Sequence, residues 1–455
     1  MENDIQKEMA TFIAQCQYDQ IDPELVTDMK YRILDWLGCA ITGMHYPQIK
    51  ISRQFFVETG GIQEATILGV EGKYPAANAA MVNGMIGHVS ELDDGHRRAI
   101  GHPGSVTLPV ALALAEKLEQ TTSTQDFLKA LLVGYDLFIR MGQVINPSHY
   151  TYWHTTGTCG AFAATATAAS IMKLTPDQTS NALGIVATMA SGLITSFGTH
   201  SKALNIGHAC QSAIIAASLA KRGFTGSSKS ITGENGFLRA MSTEQKIDFL
   251  TNFSEETLSS NTAFYKVYAS CGHTNAPLDL LFKILKEHPL DYREISRIDV
   301  ETYRVSVALT GQLKTENEDA AKFSLPYCLA IALIFGTVSL EQFGPQYLSH
   351  PDVLALGAKI NITESSEATA RFPKRQATMH IALKNNKTYT DSVLDSNDEI
   401  EFSSIENKFF SATTSVDPEQ NINILNYLKR MDQETSLALL FEYIKKCHVA
   451  LSKET

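Results

Sequence analysis

The densest group of side chains able to do chemistry is His88-Val89-Ser90-Glu91-Leu92-Asp93-Asp94-Gly95-His96-Arg97-Arg98-Ala99-Ile100-Gly101-His102-Pro103-Gly104. Three histidines, three carboxylates and two arginines share the fifteen residues from His88 to His102. Histidine titrates near neutrality, and a carboxylate beside it can act as acid, base or orienting partner, so such a group can move protons. The bounding Gly and Pro predict a loop between two helices, where exposed polar groups are held by a rigid scaffold. Read alone, the same residues suit a helix end followed by a solvated turn. Asp93, Asp94, His96 and His102 are also of the types that bind divalent metals. No second compact ligand cluster accompanies them, so no metal is expected.

Three further segments carry isolated reactive groups. In Ser148 to Thr158, His154 stands just before Thr155 and Thr156 at a predicted helix N-terminus, where free N–H groups and the helix dipole favour a carboxylate. By its own sequence it is equally a packed histidine. In Phe197 to His208, Lys202 is set among uncharged residues. Burying it without an anion is costly, so it lies at the surface, faces a protein carboxylate, or faces an anionic ligand. Tyr265 to Asn275 brings Lys266, Cys271 and His273 to an expected domain boundary, a common place for a cleft. Signatures of nucleotide phosphate loops, zinc proteases, serine hydrolases and dinucleotide folds are absent.

The elements that must position these groups change character along the chain. Asp22-Pro23-Glu24 offers an N-cap with proline at the first helical position, and Leu25, Met29, Ile33, Trp36, Leu37 and Ile41 follow at helical spacing up to Gly43. Thr175-Pro176-Asp177-Gln178 has the form of a capping box. Small residues dominate Pro75 to Gly87, Gly157 to Ala169 and Ala203 to Ala220, which predicts closely packed helices. Thr179 to Ser201 has no charged residue, and its Ser, Thr, Ala and Gly content predicts a buried helical segment and not a lipid-facing span. After about Leu290, alternation appears at Ile298, Val300 and Thr302, at Ile360 and Ile362, and at Met379, Ile381 and Leu383. The last run leads to an Asn385-Asn386 turn before Thr388, Thr390 and Ser392. A helical stretch, Phe323 to Phe335, interrupts the strands. The expected fold is therefore mainly α: a helical domain over 1–265 and 404–455, and a smaller α+β domain over 266–403.

The 455 residues amount to about three typical domain lengths, and 44% apolar content argues for a sizeable core. The balance of 38 basic against 49 acidic residues gives −11, and no basic run is present, which disfavours a nucleic-acid partner. The opening Met-Glu-Asn-Asp-Ile-Gln-Lys-Glu has no basic stretch followed by an apolar one, so the expected location is the cytoplasm, with no membrane partner. Seven scattered cysteines without a C-x-x-C pair suit reduced, buried thiols.

Together the segments resemble the MmgE/PrpD family, which includes 2-methylcitrate dehydratases, cis-aconitate decarboxylases and iminodisuccinate epimerases. The likeness rests on Val82-Asn83-Gly84 leading to His88, Asp93-Asp94 followed by Gly101-His102-Pro103-Gly104, and Trp153-His154. It continues in Lys202 with Ile206-Gly207, in Lys266 through His273, and in Ala321-Lys322-Phe323-Ser324 with Tyr327. The resemblance implies a helical domain built from both chain ends, a smaller α+β lid domain, a homodimer, and a cofactor-free active site between the domains. It places active-site roles on His102, His154, Lys202 and Lys266, and an aspartate of the family's pattern falls where this chain has Glu91. Gly95 stands where relatives often carry Ser or Thr. Cys271 stands where some carry histidine, with His273 close by to compensate.

Removing a proton α to a carboxylate puts a second negative charge on that group, which fixed cations stabilise; Lys202, Lys266 and a protonated histidine suit this. His102, Glu91 and Asp93 are the candidate acids and bases. The expected activity is a cofactor-independent hydro-lyase acting on a small hydroxy di- or tricarboxylate such as 2-methylcitrate. Decarboxylation of an unsaturated tricarboxylate, epimerisation, and a non-catalytic carboxylate-binding role stand as alternatives.

Overall fold

A computed structural model describes residues 5–396 and 400–451. Two compact units emerge: one comprises Met1–Thr195, Ser201–Tyr265 and Ile400–Thr455, the other Ser196–His200 and Lys266–Glu399. The first is helical and the second combines helices with a sheet, so the chain is mainly α.

In the first unit, Asp22 caps the helix Pro23–Gly43 by accepting from the Glu24 N–H at 2.9 Å. The box at Thr175 closes in both directions, with Gln178 N–H donating to Thr175 Oγ1 at 3.2 Å and Thr175 N–H to Gln178 Oε1 at 3.0 Å. Three small-residue stretches form the helices Ala76–His88, Thr155–Ile171 and Ser201–Lys221. Their closeness depends on missing side chains. A Cβ on Gly207 would sit 2.5 Å from the Met81 carbonyl oxygen, and one on Gly84 would sit 2.8 Å from Cys210 Sγ. The Ser201–Lys221 helix is long and apolar enough to cross a membrane, yet 61% of its most apolar window is buried in the protein, as in a core helix. Helix Phe402–Ala412, from the far end of the chain, packs on Pro23–Gly43.

One expectation is corrected. Thr179 to Ser201 is not a continuous buried helical segment: the helix Pro176–Ala187 stops, and Thr188, Ser191, Leu193, Thr195 and Thr199 are exposed. Gly192 at φ 139° and Gly198 at φ 76° take backbone conformations that a helix excludes, and the small polar residues around them serve turns.

In the second unit, β1 (Ile295–Thr302), β2 (Ile360–Glu364), β3 (Ala377–Leu383) and β4 (Thr388–Val393) form a sheet in the order β2-β1-β3-β4. The β1–β2 pair is parallel, and the other two pairs are antiparallel. Ile298, Val300, Met379 and Ile381 are buried, as their alternation predicts. Asn386 turns the β3–β4 hairpin at φ 65°. Helix Leu325–Phe335 starts on Ser324, whose Oγ accepts from the Tyr327 N–H at 3.3 Å. Six cysteines, all buried, are free thiols, and the side chain of Cys447 lies outside the described residues.

Candidate active site

The Ala76–His88 helix ends on His88, the next helix begins at Gly104, and every residue from His88 to His96 is buried. That burial removes the solvated-turn reading of the loop. Its two aspartates hold the start of the following helix: Asp94 Oδ1 accepts from the Gly104 N–H at 3.1 Å, and Asp93 Oδ2 accepts from Ser105 Oγ at 2.5 Å. Arg32, projecting from Pro23–Gly43, reaches Asp94 Oδ2 at 3.2 Å and also pairs with Asp28. Burial pushes the Asp94 carboxyl up to about 6, against the pull of Arg32. Gly95 is paired through its backbone to Phe264, with N–H to O distances of 2.9 and 2.7 Å.

Three imidazoles converge here. His88 Nδ1 lies 2.8 Å from Asp93 Oδ2, so its N–H points to the carboxylate and Nε2 holds the lone pair. That Nε2 has no hydrogen-bond partner, is buried, and lies 3.7 Å from Glu91 Oε1. His102 Nδ1 is 2.7 Å from the Asp94 carbonyl oxygen, which only accepts, so Nε2 is again the basic nitrogen. Ring centroids of His88 and His102 are 4.8 Å apart, and those of His88 and His154 are 6.1 Å apart. His154 is the N-cap residue of Thr155–Ile171, and Asn205 Nδ2 lies 3.3 Å from its Nδ1. Burial holds His154 well below the usual histidine range, and Lys202, His88 and His102 add to this, so it is a neutral imidazole at neutral pH.

Lys202, in the first turn of Ser201–Lys221, is buried and bonds to the Glu91 carboxylate. Of the three settings open to it by sequence, the structure shows the protein carboxylate. Glu91 takes a left-handed backbone, φ 58°, at a cost of roughly 1–2 kcal/mol for a residue with a Cβ. Glu91, Asp93, His102, His154 and Lys202 are thus gathered in the first unit.

Lys266, Cys271 and His273 belong to the second unit, and all three are buried. Cys271 and His273 flank Gly272, whose carbonyl accepts from Arg375 Nη1 at 2.5 Å. His273 Nδ1 lies 2.7 Å from the Tyr303 hydroxyl, which fixes the ring.

The pattern of the MmgE/PrpD N-terminal domain matches residues 7–250, and that of the C-terminal domain matches 268–430. The chain belongs to the MmgE/PrpD family. Among curated proteins it is similar to a cis-aconitate decarboxylase of Aspergillus terreus, 27% identical over 77% of this chain and 76% of that one. A cis-aconitate decarboxylase-like protein, oryM, of Aspergillus oryzae is 26% identical over 80% and 81%. A cis-aconitate decarboxylase of Mus musculus is 24% identical over 81% and 77%.

Of the three departures expected in this MmgE/PrpD protein, at Glu91, Gly95 and Cys271, the first two have a visible counterpart. The longer arm of Glu91 ends on Lys202. A Cβ on Gly95 would fall 2.8 Å from Phe264 Cζ, so the ring fills the space a larger residue 95 would use. Sequence reasoning counted His88 within the cluster but gave it no role. Its signal was its place five residues before Asp93 at a helix end. Ser105, Asn205 and Arg32 carried no signal, because Ser, Asn and Arg at helix positions are ordinary. His88, Glu91 and His102 offer ligand atoms within 4.8 Å of one another, but a cation there would compete with the Lys202 ammonium for Glu91.

Proposed function

We propose that the protein is a cofactor-independent lyase for a small polycarboxylate, with decarboxylation of a cis-aconitate-like acid as its first reaction. The observation that carries this reading is the buried Lys202–Glu91 pair ringed by His88, His102 and His154. The decarboxylase names of the relatives favour loss of CO₂ over loss of water. A substrate carboxylate exchanges with Glu91 for the Lys202 ammonium, which then faces the charge that builds up in the transition state. As the bond to the departing CO₂ breaks, its electron pair stays on carbon and spreads into the conjugated carboxylate. A proton carried on His102 Nε2 ends on that carbon. Neutral His154, at the head of its helix, donates a hydrogen bond without adding a further cation to Lys202 and protonated His102.

The second reading is dehydration of a hydroxy tricarboxylate such as 2-methylcitrate. The Asp93-oriented Nε2 of His88 favours it, because a base beside a second proton carrier suits removal of an α-proton together with protonation of a hydroxyl. Incubating the purified protein in D₂O with cis-aconitate, 2-methylcitrate, citrate and iminodisuccinate, followed by NMR, tests both. A lost carboxylate with deuterium at the carbon it left is the expected result. A vinylic product from 2-methylcitrate would replace it with dehydration, and exchange without net conversion would indicate epimerisation. Absence of turnover and exchange with all four acids overturns the lyase reading.

A further inference from the structure

Glu91 meets Lys202 from a left-handed residue, and the carbonyl of the residue after it is anchored from an unexpected quarter. Lys408, on the helix Phe402–Ala412, donates to the Leu92 carbonyl oxygen at 2.7 Å. The same ammonium lies 2.6 Å from Asp35 Oδ1 on Pro23–Gly43. Asp35 is buried, and burial pushes its carboxyl up while Lys408 draws it back. The helix Phe402–Ala412 therefore ties the Leu92–Asp93 peptide, one residue beyond Glu91, to the helix that also carries Arg32 and, through it, Asp94. Backbone at positive φ holds only where surrounding bonds over-determine it, and the Lys408 bond to Leu92 is of that kind.

We infer that Lys408 is a positioning residue: its bond to the Leu92 carbonyl holds Glu91 in the left-handed conformation that aims its carboxylate at Lys202. This rests on the lyase reading for its effect on turnover, but not for its effect on geometry. Asp35 acts through Lys408 as the counter-charge that lets the ammonium stay inside.

A set of three variants separates clamping from charge balance. Lys408→Met alone leaves Asp35 without its partner and can fail to fold, so the informative form is the double variant Asp35→Asn with Lys408→Met, beside Asp35→Asn alone. With the carbonyl released, kcat of the double variant falls about 100-fold while KM stays close to wild type, since misplacing a catalytic group by about an ångström costs that much. Asp35→Asn, which keeps the donor on Leu92, stays within about tenfold of wild-type kcat, and thermal melts confirm that both are folded. A crystal structure of the double variant is expected to show residue 91 out of the left-handed region and its carboxylate away from Lys202. Wild-type kcat in the double variant, an unchanged Glu91–Lys202 contact, or an equal loss in Asp35→Asn alone overturns the inference. If the wild-type protein turns over none of the acids, the lyase reading fails, and the crystal structure still decides whether Lys408 sets Glu91.

Discussion

Lys202 and Glu91 leave water together, and their pairing offsets part of the cost of burying both charges. The three imidazoles beside them are differentiated by their partners: a carboxylate for His88, a peptide carbonyl for His102 and an amide for His154. On the proposed reading, a polycarboxylate needs a cation that does not move away as negative charge grows, and Lys202, in the first turn of its helix, would be that cation. Lys202→Ala is therefore expected to lower kcat/KM by about 10²- to 10³-fold, the usual loss when one fixed charge-stabilising donor is removed. Steady-state rates with the acid identified by NMR measure this, with a circular dichroism spectrum to confirm the fold. Wild-type turnover in that variant would remove the lysine from the chemistry.

Lys202 and His88 sit on helices that approach through glycine, so the distance between them is an element-level property. Adding a methyl at Gly207 drives it to 2.5 Å from the Met81 carbonyl oxygen, which belongs to backbone and cannot rotate away. Gly207→Ala should destabilise the protein by about 1–3 kcal/mol, the usual cost of overpacking, and reduce turnover as the Lys202 helix shifts. Gly38→Ala is the control: its Cβ would meet Phe409 and Ala412 at 3.5 to 3.6 Å, ordinary contact, and alanine favours the helix by up to about 1 kcal/mol. Urea unfolding of the two variants compares these directly, and equal stabilities would show that the small-residue crossing is not tight. The same crossing explains why the Ala- and Gly-rich stretches read so clearly as closely packed helices, while Thr179 to Ser201, of similar composition, divided into a helix and turns. Composition is shared by the two cases, but the glycines at positive φ are not.

For the molecule as a whole, acid stability depends on buried imidazoles. His149, with Met241 O at 2.9 Å from Nδ1 and Thr158 Oγ1 at 2.7 Å from Nε2, is lowered from 6.5 to about 4, chiefly by burial. Between these values the unfolded chain binds a proton that the folded one refuses, so stability rises with pH across the window. The contribution is fully present above pH 6.5 and is lost as pH falls to about 4, a change of about 3 kcal/mol. His154 acts in the same direction. His149→Gln should flatten the fall of unfolding free energy over that range, measured by urea titration at a series of pH values. An unchanged slope would mean that His149 does not set it.

The chain's local chemistry determined the helix caps, the alternating strands, the Asn-Asn hairpin turn and the family, because each depends on neighbours within a few residues or on the order of motifs along the chain. Cap, turn and period are short-range physics, and they are legible without a fold. The partner of Lys202, the tautomers of His88 and His102, and the clamp from Lys408 were decided only in three dimensions. Glu91 and Lys202 are 111 residues apart, and Lys408 and Leu92 are 316 apart. Which buried charge faces which follows from how the helices pack, and no spacing within one segment encodes that.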